Sequence, residues 1–202
     1  MEADLSLDAA RTAVVVMDCQ TVIVSIYAKP AEEFVARTAG VLQAARRAGM
    51  PVIHVQMGFR PGLPEVSSRN RLLAAIKSSA EHQTIFEGSA GAIHPALGPE
   101  PGDIIVTKHR VSAFAGTDLE MLLRAKEVDT LILCGIATSG VVLSTLVDAF
   151  DADYRLVVIA DCCADLDREL HSALLDRLFP SRAEVATAGD LVRALERRAA
   201  AS

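Results

Sequence analysis

Hydrophobic and polar positions follow two different periods along the chain. Short apolar runs rich in Val, Ile and Leu have the length of strands, and between them lie longer segments whose apolar residues recur three or four positions apart, which is typical of amphipathic helices. The predicted strands are residues 12–17, 51–57, 103–107, 129–134, 154–160 and 183–187. The predicted helices are residues 31–48, 117–125, 139–150, 167–178 and 189–198.

These elements predict the fold class. Strands that are apolar throughout are buried on both faces, as in parallel sheets, and strands that alternate with helices indicate βαβ units. We therefore predict a three-layer α/β/α sandwich around a mostly parallel, roughly six-stranded, Rossmann-like sheet. A chain of 202 residues that is 51% hydrophobic can bury one core, so we expect a single domain over residues 1–202.

One long connection interrupts this pattern. Residues 58–101 are rich in Gly, Pro and Ser and contain one predicted helix, near residues 69–79. Long connections inside compact domains are usually functional, so we interpret this segment as a cover over a site. The alternative is a mobile surface loop.

Composition excludes several classes of protein. The chain has 20 Lys and Arg against 26 Asp and Glu, a net charge of −6, and only 4% aromatic residues, which argues against binding to nucleic acid. Four irregularly placed cysteines do not fit a disulfide framework. The chain begins with Met-Glu-Ala-Asp and lacks a basic region followed by an apolar stretch, so we expect no signal peptide and a cytoplasmic protein.

An uncharged stretch of membrane-spanning length covers residues 130–147. It contains several Gly, Ser and Thr residues and divides more naturally into a buried strand followed by a buried helix. We therefore predict no association with a membrane.

Chemistry-bearing residues lie where the predicted strands end. In open parallel sheets, ligands bind outside the carboxyl ends of the strands. Asp18 ends the first strand, Lys108 ends the third, and a small-residue turn over residues 135–140 follows the fourth. Asp18 alone could cap a loop, Lys108 could be a surface lysine, and the turn could serve packing. Together they match an acid/base pair beside backbone N–H donors.

Three segments resemble the isochorismatase-like hydrolase superfamily, in the same order and spacing over nearly the whole chain. They are residues 16–20 (VMDCQ), residues 108–114 (KHRVSAF) followed by 116–119 (GTDL), and residues 133–139 (LCGIATS). The resemblance implies a parallel α/β/α fold, which agrees with the pattern described above. It also implies a homodimer or homotetramer that acts on a small-molecule substrate.

Most members of this superfamily are cysteine hydrolases that act on C–N bonds with an Asp, a Lys and a nucleophilic Cys. The resemblance places the first two at Asp18 and Lys108, but the nucleophile position holds Val141. Valine cannot attack a carbonyl, so a covalent thioester is not available at this position. The cysteines elsewhere in the chain are the only thiols that could replace it: Cys19, Cys134, Cys162 and Cys163.

The turn after the fourth strand would orient the substrate or stabilise developing negative charge through its backbone N–H groups. Its residues are Ala137, Thr138, Ser139 and Gly140. In cysteine members the peptide bond before the Thr is typically cis, so the resemblance places an unusual bond between Ala137 and Thr138.

The superfamily also contains true isochorismatases, which lack the cysteine and hydrolyse a vinyl ether. We therefore expect a hydrolase without a covalent cysteine intermediate, with Asp18 as general acid/base beside Lys108, and with vinyl ether hydrolysis of the isochorismate type as the reaction. One alternative is an amidase or carbamoyl hydrolase that uses water or a displaced cysteine. Another is a catalytically silent member that binds a small molecule.

Metal and cofactor sites are not expected. Nicotinamidase-type members carry an Asp-x-His pair after the second strand, whereas residues 53–59 (IHVQMGF) contain one His and no Asp. A metal site needs several converging ligands, so we predict no metal and no cofactor. The residues that could contact the substrate are Gln20, His54, Arg60 and Phe114.

Overall fold

The computed structural model describes residues 5–201, and side chains for residues 5–198. The acidic residues 1–4, on which the expectation of no signal peptide depends, lie outside the described residues. Within them, six strands form one parallel sheet in the order β3-β2-β1-β4-β5-β6. The strands are β1 Thr12–Met17, β2 Val52–Met57, β3 Ile104–Lys108, β4 Thr130–Ile136, β5 Arg155–Ala164 and β6 Glu184–Ala186.

Helices cover both faces of the sheet. They are α1 Thr21–Tyr27, α2 Ala31–Arg47, α3 Arg71–Lys77, α4 Ala80–Thr84, α5 Gly88–Gly91, α6 Leu119–Ala125, α7 Leu143–Asp151, α8 Arg168–Ala173 and α9 Ala188–Ala201. Val14 and Val16 of β1 join a core with apolar residues of α2 and α9. Val15 and Met17 join a second core with residues of α6 and α7, because successive side chains of a strand point to opposite faces. The predicted three-layer α/β/α sandwich is confirmed.

Several element boundaries differ from the sequence prediction. β5 continues to Ala164, so Cys162 and Cys163 lie inside the strand and not after it. The predicted helix over residues 139–150 begins as a π-helical turn, Thr138–Val142, before α7. Helix α1 was not predicted, because its sequence TVIVSIY is rich in β-branched residues and no side chain caps its start.

The uncharged stretch over residues 130–147 is divided as predicted between β4, the π-helical turn and the start of α7. Across the part of the chain that the structure describes, no helix combines the length and the apolar character needed to cross a membrane.

The covering segment, residues 58–101, contains three short helices, α3, α4 and α5, where the sequence predicted one. It has a small core of its own, formed by Leu63, Val66 and Leu73. Its last part is fixed to the chain that leaves β1, since Gln20 pairs with Ile93 as an antiparallel bridge. These contacts hold the segment beside the carboxyl end of the sheet.

Candidate active site

The site lies where the strand order reverses. From β1 the chain goes first to β2 and β3 on one side and then to β4 on the other, so a crevice opens between the carboxyl ends of β1 and β4. Asp18 directly follows β1, and Lys108 is the last residue of β3. The turn after β4 closes the other side of the crevice.

Asp18 and Lys108 form a buried ion pair, as the strand-end pattern led us to expect. Lys108 Nζ lies 2.8 Å from Asp18 Oδ2, with side-chain exposures of 1% and 13%. The same ammonium donates to the carbonyl of Arg110 at 3.1 Å. Asp18 Oδ1 is buried and has no hydrogen-bond partner among the described residues. Lys108 therefore orients the carboxylate through one of its two oxygens only.

Burial raises the pKa of the Asp18 carboxyl above its ordinary value, and the charge and hydrogen bond of Lys108 offset part of that increase. A carboxyl group with a raised pKa is better matched to proton transfer near neutral pH. Asp18 also has a positive φ of 53°, a conformation that few residues other than glycine adopt. Its N–H donates to the carbonyl of Val55 at 2.8 Å, which anchors the backbone there.

Gly135 allows β1 and β4 to approach closely at the site. It has a φ of 138°, and a Cβ atom at this position would lie 2.1 Å from the carbonyl oxygen of Met17. The non-proline cis peptide bond at the site joins Ile136 and Ala137, one bond earlier in the chain than the expected Ala137–Thr138. The strand ends at Ile136, and the carbonyl of Ala137 already accepts the first turn hydrogen bond, from Gly140 N–H at 3.1 Å.

The turn residues divide between two directions. Ala137, Gly140 and Val141 line the cavity beside Asp18, whereas Thr138 and Ser139 do not. Ser139 N–H donates to Asp165 Oδ2 at 2.7 Å, and Gly140 N–H is engaged within the turn. These two N–H groups are therefore already bonded within the protein and are not free for a substrate, contrary to the role expected for them.

Thr138 faces a histidine that the sequence did not single out. Its hydroxyl lies 2.8 Å from His171 Nδ1 and 3.2 Å from the carbonyl oxygen of Ala164. Because that carbonyl can only accept, the Thr138 hydroxyl donates to it, and His171 Nδ1 then carries the hydrogen of the other bond. No local pattern marks His171, which lies 33 residues further along the chain.

The cavity has a volume of about 180 Å³. Val141, which occupies the nucleophile position of the resemblance, is 2% exposed and forms part of its wall beside Asp18 and Lys108. Gln20 also lines the cavity, but its side-chain amide forms its hydrogen bonds within the protein. The amide nitrogen donates to the carbonyls of Met57 and Gly91, and the amide oxygen accepts from Met57 N–H. Gln20 thus joins the end of β1 to β2 and to the covering segment.

The other residues expected to contact substrate lie outside this cavity. His54 Nε2 is 3.1 Å from Asp103 Oδ2 in a buried contact, and burial lowers the pKa of His54. Arg60 lines a separate hollow and is largely exposed. The ring of Phe114 packs against Tyr154, with centroids 6.1 Å apart. The sequence shows which elements carry these residues but not which way their side chains point.

The thiols do not supply a nucleophile to the cavity. All four cysteines are buried, and none of them lines it. Burial raises the pKa of each thiol, that of Cys162 to about 12, so the reactive thiolate is disfavoured. Within residues 5–201, no group of three or more His, Cys, Asp or Glu side chains is placed to hold a metal ion.

A parallel α/β domain with a buried carboxylate–ammonium pair beside a cavity has the layout of an acid/base enzyme that acts on a small molecule. Residues 12–190 match the isochorismatase domain, and the chain belongs to the isochorismatase family of hydrolases.

Relatives and solved structures agree with this assignment. YecD of Escherichia coli O157:H7, an isochorismatase family protein, is 32% identical over 194 residues, which are 95% of this chain and 100% of YecD. Ureidoacrylate amidohydrolase RutB of Methylobacterium radiotolerans is 36% identical over 195 residues, which cover 85% of this chain and 74% of RutB. The structure of an isochorismatase family protein from Burkholderia thailandensis matches with a TM-score of 0.81 and 32% identity, covering 95% of this chain and 98% of that one.

Proposed function

We propose that this hydrolase cleaves an amide-type C–N bond of a small molecule, with water as the nucleophile and no protein-bound intermediate. The observation that carries the proposal is the free Oδ1 of Asp18 beside Lys108, in a cavity where Val141 stands in place of a thiol. The amide bond is supported by the relative RutB, a ureidoacrylate amidohydrolase. The bond class thus follows the alternative interpretation of the sequence, and the absence of a covalent step follows the main interpretation, since the alternative allowed either water or a displaced cysteine.

The proposed reaction uses Asp18 twice. A water molecule bound to Oδ1 attacks the amide carbon; as the new C–O bond forms, the water proton passes to Asp18. The C–N bond then breaks, and Asp18 returns that proton to the leaving nitrogen. The products are a carboxylic acid and ammonia or an amine, and the enzyme is regenerated unchanged.

Lys108 has two tasks in this scheme. It holds Oδ2 of Asp18 at 2.8 Å, which keeps the carboxylate oriented and favours its ionised form. An ammonium has three N–H donors, and the contacts to Asp18 and to the carbonyl of Arg110 use two of them. We assign the third to the oxygen of the scissile carbonyl, where negative charge develops during attack.

Vinyl ether hydrolysis is the second candidate, and the observation that favours it is Val141, since that reaction needs no nucleophilic side chain. Asp18 would protonate the methylene carbon, and water would add to the resulting oxocarbenium ion and return a proton to Asp18. The C–O bond of the hemiketal formed in this way would then break, with its hydroxyl proton passing to the leaving oxygen. The products would be pyruvate and an alcohol.

The experiment measures ammonia release from ureidoacrylate and short alkanamides, and pyruvate release from isochorismate. We expect ammonia from at least one amide, and we expect Asp18→Asn to lower kcat/KM at least about 100-fold, since general acid–base catalysis contributes about 10²–10⁴-fold. The matched control is Asp129→Asn, which removes a carboxylate paired with Arg11 outside the cavity and keeps the wild-type rate. Pyruvate without ammonia would select the vinyl ether reaction. Absence of both products would contradict both candidate reactions on these substrates.

A further inference from the structure

The charge and polarity of the residues that line the cavity indicate which groups the substrate carries next to the bond that is cleaved. We propose that the substrate is electrically neutral, with a short apolar group next to the scissile amide and no carboxylate. This inference rests on the proposed function only in placing the amide at Asp18. The apolar wall includes Met57, Leu72, Leu73, Ile76, Phe86 and Val111.

The charges that line the cavity cancel. Its ionisable side chains are Asp18, Lys108 and Tyr27, and the first two neutralise each other at 2.8 Å. A substrate carboxylate would therefore be transferred from water to this cavity without a cation of its own. Burying an uncompensated charge is strongly unfavourable, whereas burying a methyl group is favourable.

Four cations on neighbouring segments are bonded to main-chain carbonyls or line another hollow. Arg110 donates to two main-chain carbonyls, and Lys77 donates to two carbonyls within the covering segment. Lys29 and Arg168 line a separate hollow whose lining has only Tyr27 in common with the cavity. None of these four side chains lines the cavity itself. A carboxylate next to the scissile amide would therefore meet apolar side chains.

The covering segment sets this preference. Leu72 and Ile76 of α3 line the cavity together with Phe86, and all three come from residues 58–101. Leu73, beside them on α3, is fully buried in the segment's own core, which fixes the helix in place. The volume of about 180 Å³ is smaller than the roughly 300–1,000 Å³ of sites for drug-sized ligands, so the apolar group is short.

Two amides of the same chain length test the inference: hexanamide, which ends in a methyl group, and adipamic acid, which ends in a carboxylate. Binding to the wild-type protein is measured by calorimetry, and ammonia release is measured in parallel. We expect hexanamide to bind at least about tenfold more tightly, because the carboxylate loses its hydration without gaining a cation. The binding arm does not depend on turnover.

Leu72→Arg supplies the missing cation. Leu72 is 59% exposed while lining the cavity, so an arginine fits at the rim without entering the core. We expect this variant to reverse the preference, with tighter binding of adipamic acid and weaker binding of hexanamide. The control is Met121→Arg, which adds the same charge at a residue that is 65% exposed on α6 and outside the cavity, and which keeps the wild-type preference.

Equal or tighter binding of adipamic acid to the wild type would overturn the inference, and so would failure of both amides to bind. If hexanamide binds preferentially but neither amide releases ammonia, the neutral apolar cavity is supported and these amides give no support to the proposed function. Ammonia released faster from adipamic acid would support the proposed function and overturn the inference.

Discussion

Asp18 is the residue on which the proposed chemistry depends. It lies at the end of β1 with a positive φ, one carboxylate oxygen held by Lys108 and the other without a partner among the described residues. Such a conformation costs free energy and persists only where the surrounding contacts impose it. Here those contacts are the hydrogen bond from its N–H to β2 and the ion pair with β3.

The raised pKa of Asp18 predicts the acid side of the pH profile. As a general base Asp18 must be ionised, so kcat/KM falls as the pH is lowered through the pKa of Asp18, which burial places above the ordinary value of about 3.9. Lys108→Met removes the charge that lowers this pKa, so we expect the residual activity to decline at a higher pH than in the wild type. A wild-type decline centred at or below pH 4 would contradict this assignment.

Val141→Cys tests whether residue 141 is accessible from the cavity. Val141 lines the cavity, so a thiol at this position would be exposed to a small reagent that enters the cavity. We expect iodoacetamide to label the variant at residue 141, identified by peptide mass spectrometry, while the buried native thiols stay unlabelled in the folded protein. Labelling of a native cysteine in the wild type, or none at residue 141, would show that the thiol environments differ from those described.

At the scale of elements, the site depends on the close approach of β1 and β4. Gly135 is the contact point, since any Cβ there would collide with the carbonyl of Met17. That approach brings Asp18 and the turn after β4 to the same crevice. The covering segment then forms one wall of the crevice, and Gln20 links it to the ends of both β1 and β2.

Gly135→Ala is therefore expected to destabilise the protein by at least about 3 kcal/mol, because it combines a steric collision with a φ of 138°. The matched control is Gly40→Ala, inside α2, where an added Cβ meets no heavy atom within 4 Å. That change is expected to stabilise the helix by about 0.5–1 kcal/mol. Urea denaturation measures both differences, and a loss of less than about 1 kcal/mol for Gly135→Ala would contradict the close approach.

For the whole molecule, the sequence predicts the layers better than the details of the site. Uniformly apolar strands and 3.6-residue periodicity identify the sheet and its helices, and the strand-end rule finds Asp18 and Lys108 because regular strands end at a common edge. Inside the irregular turn, no such period exists. For this reason the sequence does not show which residues of the turn face the cavity. In the structure Thr138 and Ser139 do not line it, although neighbours in the same motif do.

Long-range partners account for the remaining differences. His54 pairs with Asp103, which lies 49 residues away. The Gln20 side chain hydrogen-bonds to main-chain carbonyls of β2 and of the covering segment. Neither contact can be read from local sequence. The missed helix α1 is another such case, since its β-branched residues favour a strand locally and its position is fixed by contacts with α2, α5 and β4.

In the proposed mechanism, Asp18 and water carry out the hydrolysis and no thiol takes part. The most direct measurement is the rate of ammonia release by the wild type and by Asp18→Asn, each before and after treatment of the folded protein with iodoacetamide. We predict that the treated wild type keeps its rate and that Asp18→Asn is at least about 100-fold slower. Loss of wild-type activity on alkylation of one cysteine, or an undiminished rate for Asp18→Asn, would contradict the claim.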